Sequence, residues 1–208
     1  MSQEPATVFV IDDNAAIRKS LSDLLASVSL PVETFASGQE FLEVFDADRP
    51  GCLVLDVRLK EGSGLDLQDE LKRRKVMLPI IVLTGHGDVS NSVRALKAGA
   101  FDYLQKPPPP AVLIERIQAA LETDRVAREA AARKSEALRR LSSLTPRERD
   151  VMSLLVAGET SKEIASDLRL SVRTVEGHRR RVLSKLDVTS AAQLVRVVMS
   201  TRGVEAEP

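Results

Sequence analysis

Residues 8–13 read Val8-Phe9-Val10-Ile11-Asp12-Asp13. Four apolar residues end abruptly in two carboxylates. A run so short, with no polar alternation, suits a strand covered on both faces, as in a parallel sheet. Four further runs repeat it: Val32-Glu33-Thr34-Phe35, Cys52-Leu53-Val54-Leu55, Ile80-Ile81-Val82-Leu83 and Asp102-Tyr103-Leu104. Between the first two, Ile17, Leu21, Leu24, Leu25 and Val28 fall at i, i+4, i+7, i+8 and i+11, the stripe of an amphipathic helix. Shorter helical patterns cover residues 39–45, 65–74 and 89–98. Five strands alternating with helices predict an α/β domain built on a doubly wound, five-stranded parallel sheet.

With 208 residues, 43% hydrophobic and 29% charged, the chain has room for a second, smaller domain. No segment approaches the roughly 20 apolar residues of a membrane span, and residues 1–5 lack the basic and apolar regions of a secretory signal. One cysteine and two histidines leave no material for a disulfide framework or a thiolate zinc site. A reducing cytoplasm is the expected location. The zero net charge divides into −4 over residues 1–110, +2 over 111–141 and +2 over 142–208, which hints at two modules and an anionic partner for the second.

After Lys106 come four prolines, Pro107 to Pro110, which cannot continue a strand or a helix interior. A long helix is predicted from about Ala111 to Leu141, its first part packed on the sheet and residues 123–134 polar enough to be a solvated spacer. Beyond Leu144 every pattern is helical. Thr145-Pro146-Arg147-Glu148 and Thr160-Ser161-Lys162-Glu163 are capping boxes, Gly158 is a stop, Ser171 opens a helix to about Leu186, and Ser190 opens a fourth.

In a doubly wound sheet, ligands bind beyond the carboxyl ends of the strands. Asp12 and Asp13 end the first strand, Asp56 the third, Thr84 the fourth, and Lys106 follows the fifth. The first and third strands would be neighbours, so three acids converge and need a neutralising charge, for which Mg²⁺ is the natural candidate. A carboxylate nucleophile, a metal, a hydroxyl and an ammonium make a minimal phosphoryl-transfer site. Asp56 would attack, Thr84 would donate a hydrogen bond, and Lys106 would hold the anion. Any one of these could be an ordinary surface polar group at a strand end; the set at successive strand ends is what is specific.

Residues 5–121 resemble the flavodoxin-like receiver domain of two-component response regulators, on Asp12-Asp13, Asp56, Thr84 and Lys106-Pro107. The resemblance implies phosphorylation of Asp56 by a sensor histidine kinase. It implies Mg²⁺ held by Asp13, Asp56 and the backbone carbonyl of Arg58, with Asp12 acting through water. It also implies Tyr103 as an aromatic switch and a cis bond before Pro107. Thr84-Gly85-His86-Gly87-Asp88 is similar to the FixJ branch, while Lys60-Glu61 stands where the family usually has proline. His86 reads as a solvated loop histidine, and Cys52 as a small buried hydrophobe.

Residues 171–186 carry Arg173, Arg179, Arg180, Arg181 and Lys185 against one acid, Glu176. At 100° per residue, Val175, Val182 and Leu186 share one face, and Arg173, Gly177, Arg180 and Ser184 lie roughly opposite. A short helix, a turn at Arg169-Leu170 and this basic helix outline a helix-turn-helix whose second helix enters the major groove. Gly177 in its middle costs about 1 kcal/mol relative to alanine, explicable by approach to DNA or by close packing. Leu144-Thr145-Pro146-Arg147-Glu148-Arg149, Lys162-Glu163-Ile164-Ala165 and Ser171-Val172-Arg173-Thr174-Val175-Glu176-Gly177-His178 resemble the LuxR/FixJ-type DNA-binding domain. That resemblance implies base reading near Glu176, Gly177 and Arg180, with Lys162, Thr174, Arg181 and Lys185 on the DNA backbone.

Together these imply a FixJ/NarL-type transcriptional response regulator: receiver 5–121, helical linker 122–137, helix-turn-helix domain 138–202. It would dimerise on phosphorylation through the surface around residues 89–98 and the fifth strand, bind double-stranded promoter DNA and engage RNA polymerase. It would not contact a membrane, and its only chemistry would be Mg²⁺-assisted self-phosphorylation. A phosphohydrolase would need a second acid two residues after Asp56, where Arg58 stands.

Overall fold

A computed structural model of the protein describes residues 5–60, 62–85 and 99–202. The chain divides into two compact units, Met1–Arg128 and Glu129–Pro208. The helix expected over residues 89–98, and His86, lie outside the described residues.

The first unit runs β1 (Thr7–Ile11), α1 (Ala15–Ser27), β2 (Val32–Phe35), α2 (Gly38–Val44), β3 (Gly51–Asp56), α3 (Gly64–Arg73), β4 (Ile80–Thr84), β5 (Asp102–Gln105) and the N-terminal part of α4 (Pro110–Ser142), a helix whose residues beyond Arg128 belong to the second unit. The sheet is parallel throughout, in the order β2-β1-β3-β4-β5. This is the expected doubly wound order, with its reversal at β1 and β3. The three inner strands are buried along their whole length, which is why they read as continuous apolar runs. The edge strands β2 and β5 are only half-buried and carry Glu33, Thr34 and Asp102 accordingly.

Successive side chains on a strand point to opposite faces, so each inner strand feeds two cores. Phe9, Ile11, Leu53, Leu55, Ile80 and Val82 meet Phe41 of α2 and Leu65, Leu67 and Leu71 of α3. Val8, Val10, Cys52, Val54, Ile81 and Leu83 meet Leu21 and Leu25 of α1 and Leu113, Ile117 and Ala120 of α4. Cys52 is fully buried, which pushes its thiol up to about 12 and leaves it inert.

One expectation is corrected here. Residues 123–134 are not uniformly solvated, because the buried stripe Leu113, Ile117, Ala120 continues into Asp124, itself 2% exposed. The Asp124 carboxylate accepts the Gly51 N–H at 2.9 Å and Arg128 Nε at 2.8 Å. Arg128 also donates to the carbonyls of Ala47, Asp48 and Arg49. The helix and the start of β3 are thus joined by polar groups that satisfy one another. Pro110 occupies the first turn of α4, where its missing N–H costs nothing.

The second unit holds α5 (Pro146–Ala157), α6 (Ser161–Asp167), α7 (Val172–Lys185) and α8 (Ala191–Arg202). Both capping boxes form, and Gly158 ends α5 with φ 91°. Val151, Leu155, Ile164, Val175, Val182, Leu186, Leu194 and Val198 make one core. The α6–α7 connection turns at Arg169, φ 53°, and Ser171 caps α7 through the Thr174 N–H. Among the described residues, no helix is long and apolar enough to cross a membrane.

Candidate functional site

The sheet register builds the receiver site. Ile11 pairs with Leu55, so Asp12 and Asp56, each one residue further on, lie side by side. Asp56 pairs with Leu83 and Thr84 with Gln105, which sets Thr84 and Lys106 along the same strand-end row. The parallel ladder therefore gathers residues that are 94 positions apart in sequence.

Lys106 Nζ lies 2.5 Å from Asp12 Oδ2 and 2.7 Å from Asp56 Oδ2, with the lysine side chain only 17% exposed. It is joined to Pro107 by a cis peptide bond. Asp12 Oδ1 accepts the Asn14 N–H at 2.8 Å, and Asp56 Oδ1 accepts the Arg58 N–H at 3.1 Å. Arg18 donates to the Asp12 carbonyl at 2.7 Å. Asp13 is half-buried and reaches Lys60 at 3.9 Å, a lysine side chain 80% exposed. Thr84 is buried, and its hydroxyl makes a long 3.4 Å bond to the Gly85 carbonyl. Tyr103 is half-buried against the α2–α3 core.

Carboxylate oxygens of Asp12, Asp13 and Asp56 all lie within 4.8 Å of one another. One half-buried ammonium bridges two of the three and leaves two negative charges over, so the donor set suits a hard, oxygen-seeking divalent cation. Sequence reasoning did not find Arg18 or Gly64. A Cβ at Gly64 would stand 2.1 Å from the Asp56 carbonyl oxygen, so only glycine lets the first turn of α3 lie against the backbone of that aspartate. Its signal was a glycine between the cap Ser63 and an apolar helical stripe.

The second candidate surface is α7. Arg173, Thr174, Arg180 and Arg181 are exposed, as is Lys162 on α6. Among the described residues, none of these cations meets a carboxylate. Val175 and Val182 are buried on the opposite face, as the periodicity predicts. Glu176 is half-buried and accepts a hydrogen bond from Ser161 Oγ, linking α6 to α7, with Arg179 at 3.9 Å. Arg179 is half-buried beside that acid. Lys185 turns inward: its ammonium donates to Glu148 Oε2 at 2.7 Å and to the Ser143 carbonyl at 3.1 Å. Lys185, then the Thr145 backbone amide, hold the Glu148 carboxyl down at about 2.

Comparison with known proteins agrees with this geometry. Residues 8–118 match the family described as the response regulator receiver domain, and residues 142–198 match the bacterial regulatory proteins of the luxR family. The chain is similar to the transcriptional regulatory protein TdiR of Thauera aromatica, 44% identical over 93% of this chain and 86% of that one. It is also similar to the transcriptional regulatory protein FixJ of Rhizobium meliloti, 42% identical over 93% and 95% of the two chains. Among solved structures, the response regulator StyR aligns with a TM-score of 0.88 at 39% identity, over 94% of this chain and 98% of that one. The chain belongs to the two-component response regulators of the FixJ/NarL type, in which a receiver domain is joined to a LuxR-type DNA-binding domain.

Proposed function

We propose that Asp56 is the phosphoacceptor and that its phosphorylation by a sensor histidine kinase governs DNA binding by α7. The supporting observation is the Lys106 bridge between Asp12 and Asp56 inside a three-carboxylate cluster. An Asp56 oxygen attacks phosphorus, the bond to the donor's histidine nitrogen breaks, and an acyl phosphate remains on Asp56. Lys106, already on Asp56, turns from holding a carboxylate to holding a phosphoryl oxygen. Thr84, whose hydroxyl makes one long bond among the described residues, donates to another oxygen, and Tyr103 follows it inward.

Mg²⁺ would be held by Asp13, Asp56 and the Arg58 carbonyl, with Asp12 acting through water; when bound it neutralises charge on the transferring group. The transfer is the protein's only chemistry. In the DNA-binding unit, Glu176, Gly177 and Arg180 face base edges, with Arg173 beside them on the cationic face. Lys162, Thr174 and Arg181 hold phosphates. Lys185 has one N–H left for a phosphate after serving Glu148 and Ser143. A second copy of the chain, paired upon phosphorylation through the region around residues 89–98, would place two α7 helices on related half-sites of promoter DNA, where RNA polymerase is the further partner. The segments are then a receiver over 5–121, a linker over 122–137 and a DNA-binding domain over 138–202, working in the cytoplasm.

The test is exposure of the full chain to acetyl phosphate with MgCl₂, read as intact mass and by phosphate-affinity electrophoresis. The wild type gains one acid-labile phosphoryl group, and Asp56→Asn gains none. Undiminished labelling of Asp56→Asn refutes the assignment.

A further inference from the structure

Gly177 lies in the middle of α7, where glycine is the poorest helix former after proline. Among the described residues, nothing asks for it. A Cβ built there would meet only Arg181 Nη2, at 4.0 Å, the far end of a flexible side chain. The contrast with Gly64 and Gly51 is sharp, since an added carbon at either would stand 2.1 Å from a backbone oxygen. Nor does the backbone require it, because Gly177 is not among the glycines with positive φ. Close packing, one of the two explanations its position allowed, is thereby removed.

The other explanation lies outside the molecule. Gly177 follows Glu176, which Ser161 holds in place, and precedes the exposed cations Arg180 and Arg181. It falls in the N-terminal half of the helix, the part that reaches base edges when such a helix lies in the major groove. A helix with its side chains is about 10–12 Å across and the groove about 12 Å wide, so a bare Cα on the inner side lets the helix sit deeper. We propose that Gly177 is a specificity-determining position, kept without a side chain so that a base edge of duplex DNA contacts the helix backbone there. This rests on the assignment of α7 as the DNA-reading helix. Seating the helix deeper also shortens the reach of Glu176 and Arg180 to neighbouring bases.

An alanine at 177 separates the two needs, since it favours the helix and fills the gap. In the full chain, Gly177→Ala should raise the melting midpoint of the C-terminal unit by about 4–8 °C. The binding probe is a pool of randomised duplexes, from which the wild type selects a preferred sequence. Gly177→Ala should bind that selected duplex about tenfold more weakly, while its affinity for mixed-sequence duplex and the salt dependence of that affinity stay unchanged. Equal affinity for the selected duplex, with unchanged base preferences, overturns the inference and leaves the DNA assignment standing. A lowered melting midpoint also overturns it, because the glycine would then serve the fold. A wild-type chain that selects no sequence overturns the DNA assignment itself, and this inference with it.

Discussion

Two lysines in this protein make nearly the same contact and do opposite things. Lys106 in the receiver and Lys185 in the DNA-binding unit each place Nζ 2.7 Å from a buried carboxylate, Asp56 and Glu148. Around Glu148 the accounts close: it accepts the Thr145 N–H at 2.9 Å, completes a capping box and faces one ammonium. Around Asp56 they do not close, because Asp12 and Asp13 stand beside it and Lys106 is shared between two of the three. A buried ion pair is thus no mark of function by itself. The mark is the charge left unmatched, which makes one site a lock and the other a receptacle.

That contrast breaks if neutralising the two kinds of carboxylate has the same effect. Glu148→Gln takes the counter-charge from the Lys185 ammonium, whose side chain is 35% exposed, and weakens the cap, and should destabilise the C-terminal unit by about 3 kcal/mol. The effect depends on pH with a definite sign. The Glu148 carboxyl is lowered from 4.5 to about 2, so between those values the unfolded chain binds the proton first. The contribution is complete above about pH 4.5 and is lost as pH falls toward 2. Urea unfolding of wild type and Glu148→Gln should therefore converge across that window, and a difference that persists at pH 2 would contradict the pairing.

Asp124 provides a second lock. It is as buried as Glu148, is met by one guanidinium, and takes the Gly51 N–H. Asp124→Ala leaves that N–H buried without an acceptor and should cost the first unit about 2 kcal/mol. Amide exchange should quicken at Gly51 and along residues 121–128 while the strand ends near Asp56 keep their protection. In the open cluster the sign reverses. Asp13→Asn removes one of three crowded charges and should stabilise the receiver by about 1 kcal/mol without divalent cation. It should also abolish the added stability that MgCl₂ gives the wild type, as thermal unfolding with and without the ion would show.

Much of this was legible because periodicity and strand ends carry it. The three inner strands, both capping boxes and the alignment of Asp12, Asp56, Thr84 and Lys106 follow from a parallel sheet with β1 beside β3. What stayed hidden depends on contacts between segments remote in sequence. Asp124 and Arg128 look like an ordinary solvated i, i+4 pair until the Ala47–Gly51 backbone is set beside them. Lys185 reads as one more cation of a basic helix until Glu148, 37 positions away, takes its ammonium. Gly177 shows the reverse: the sequence allowed two explanations, and only the empty space around a built Cβ separates them.

The smallest effect concerns an acid in neither class. Asp187 ends the turn after α7 in the left-handed region, φ 55°, a conformation that costs most residues about 1 kcal/mol and costs aspartate somewhat less. Its carboxylate meets Arg140 at 3.1 Å, but the side chain is 78% exposed, so water and salt reduce that pair to a few tenths of a kcal/mol. Arg140 also keeps Glu136 and the Leu186 carbonyl. Asp187→Gly removes the backbone cost and little else, and should stabilise the C-terminal unit by about 0.5 kcal/mol. Lys75, at φ 57°, has no ion pair among the described residues, so Lys75→Gly should gain slightly more. If Asp187→Gly instead destabilises by more than about 1 kcal/mol, the Arg140 pair is strong despite its exposure, and unmatched charge ceases to be what distinguishes the receptacle from the locks.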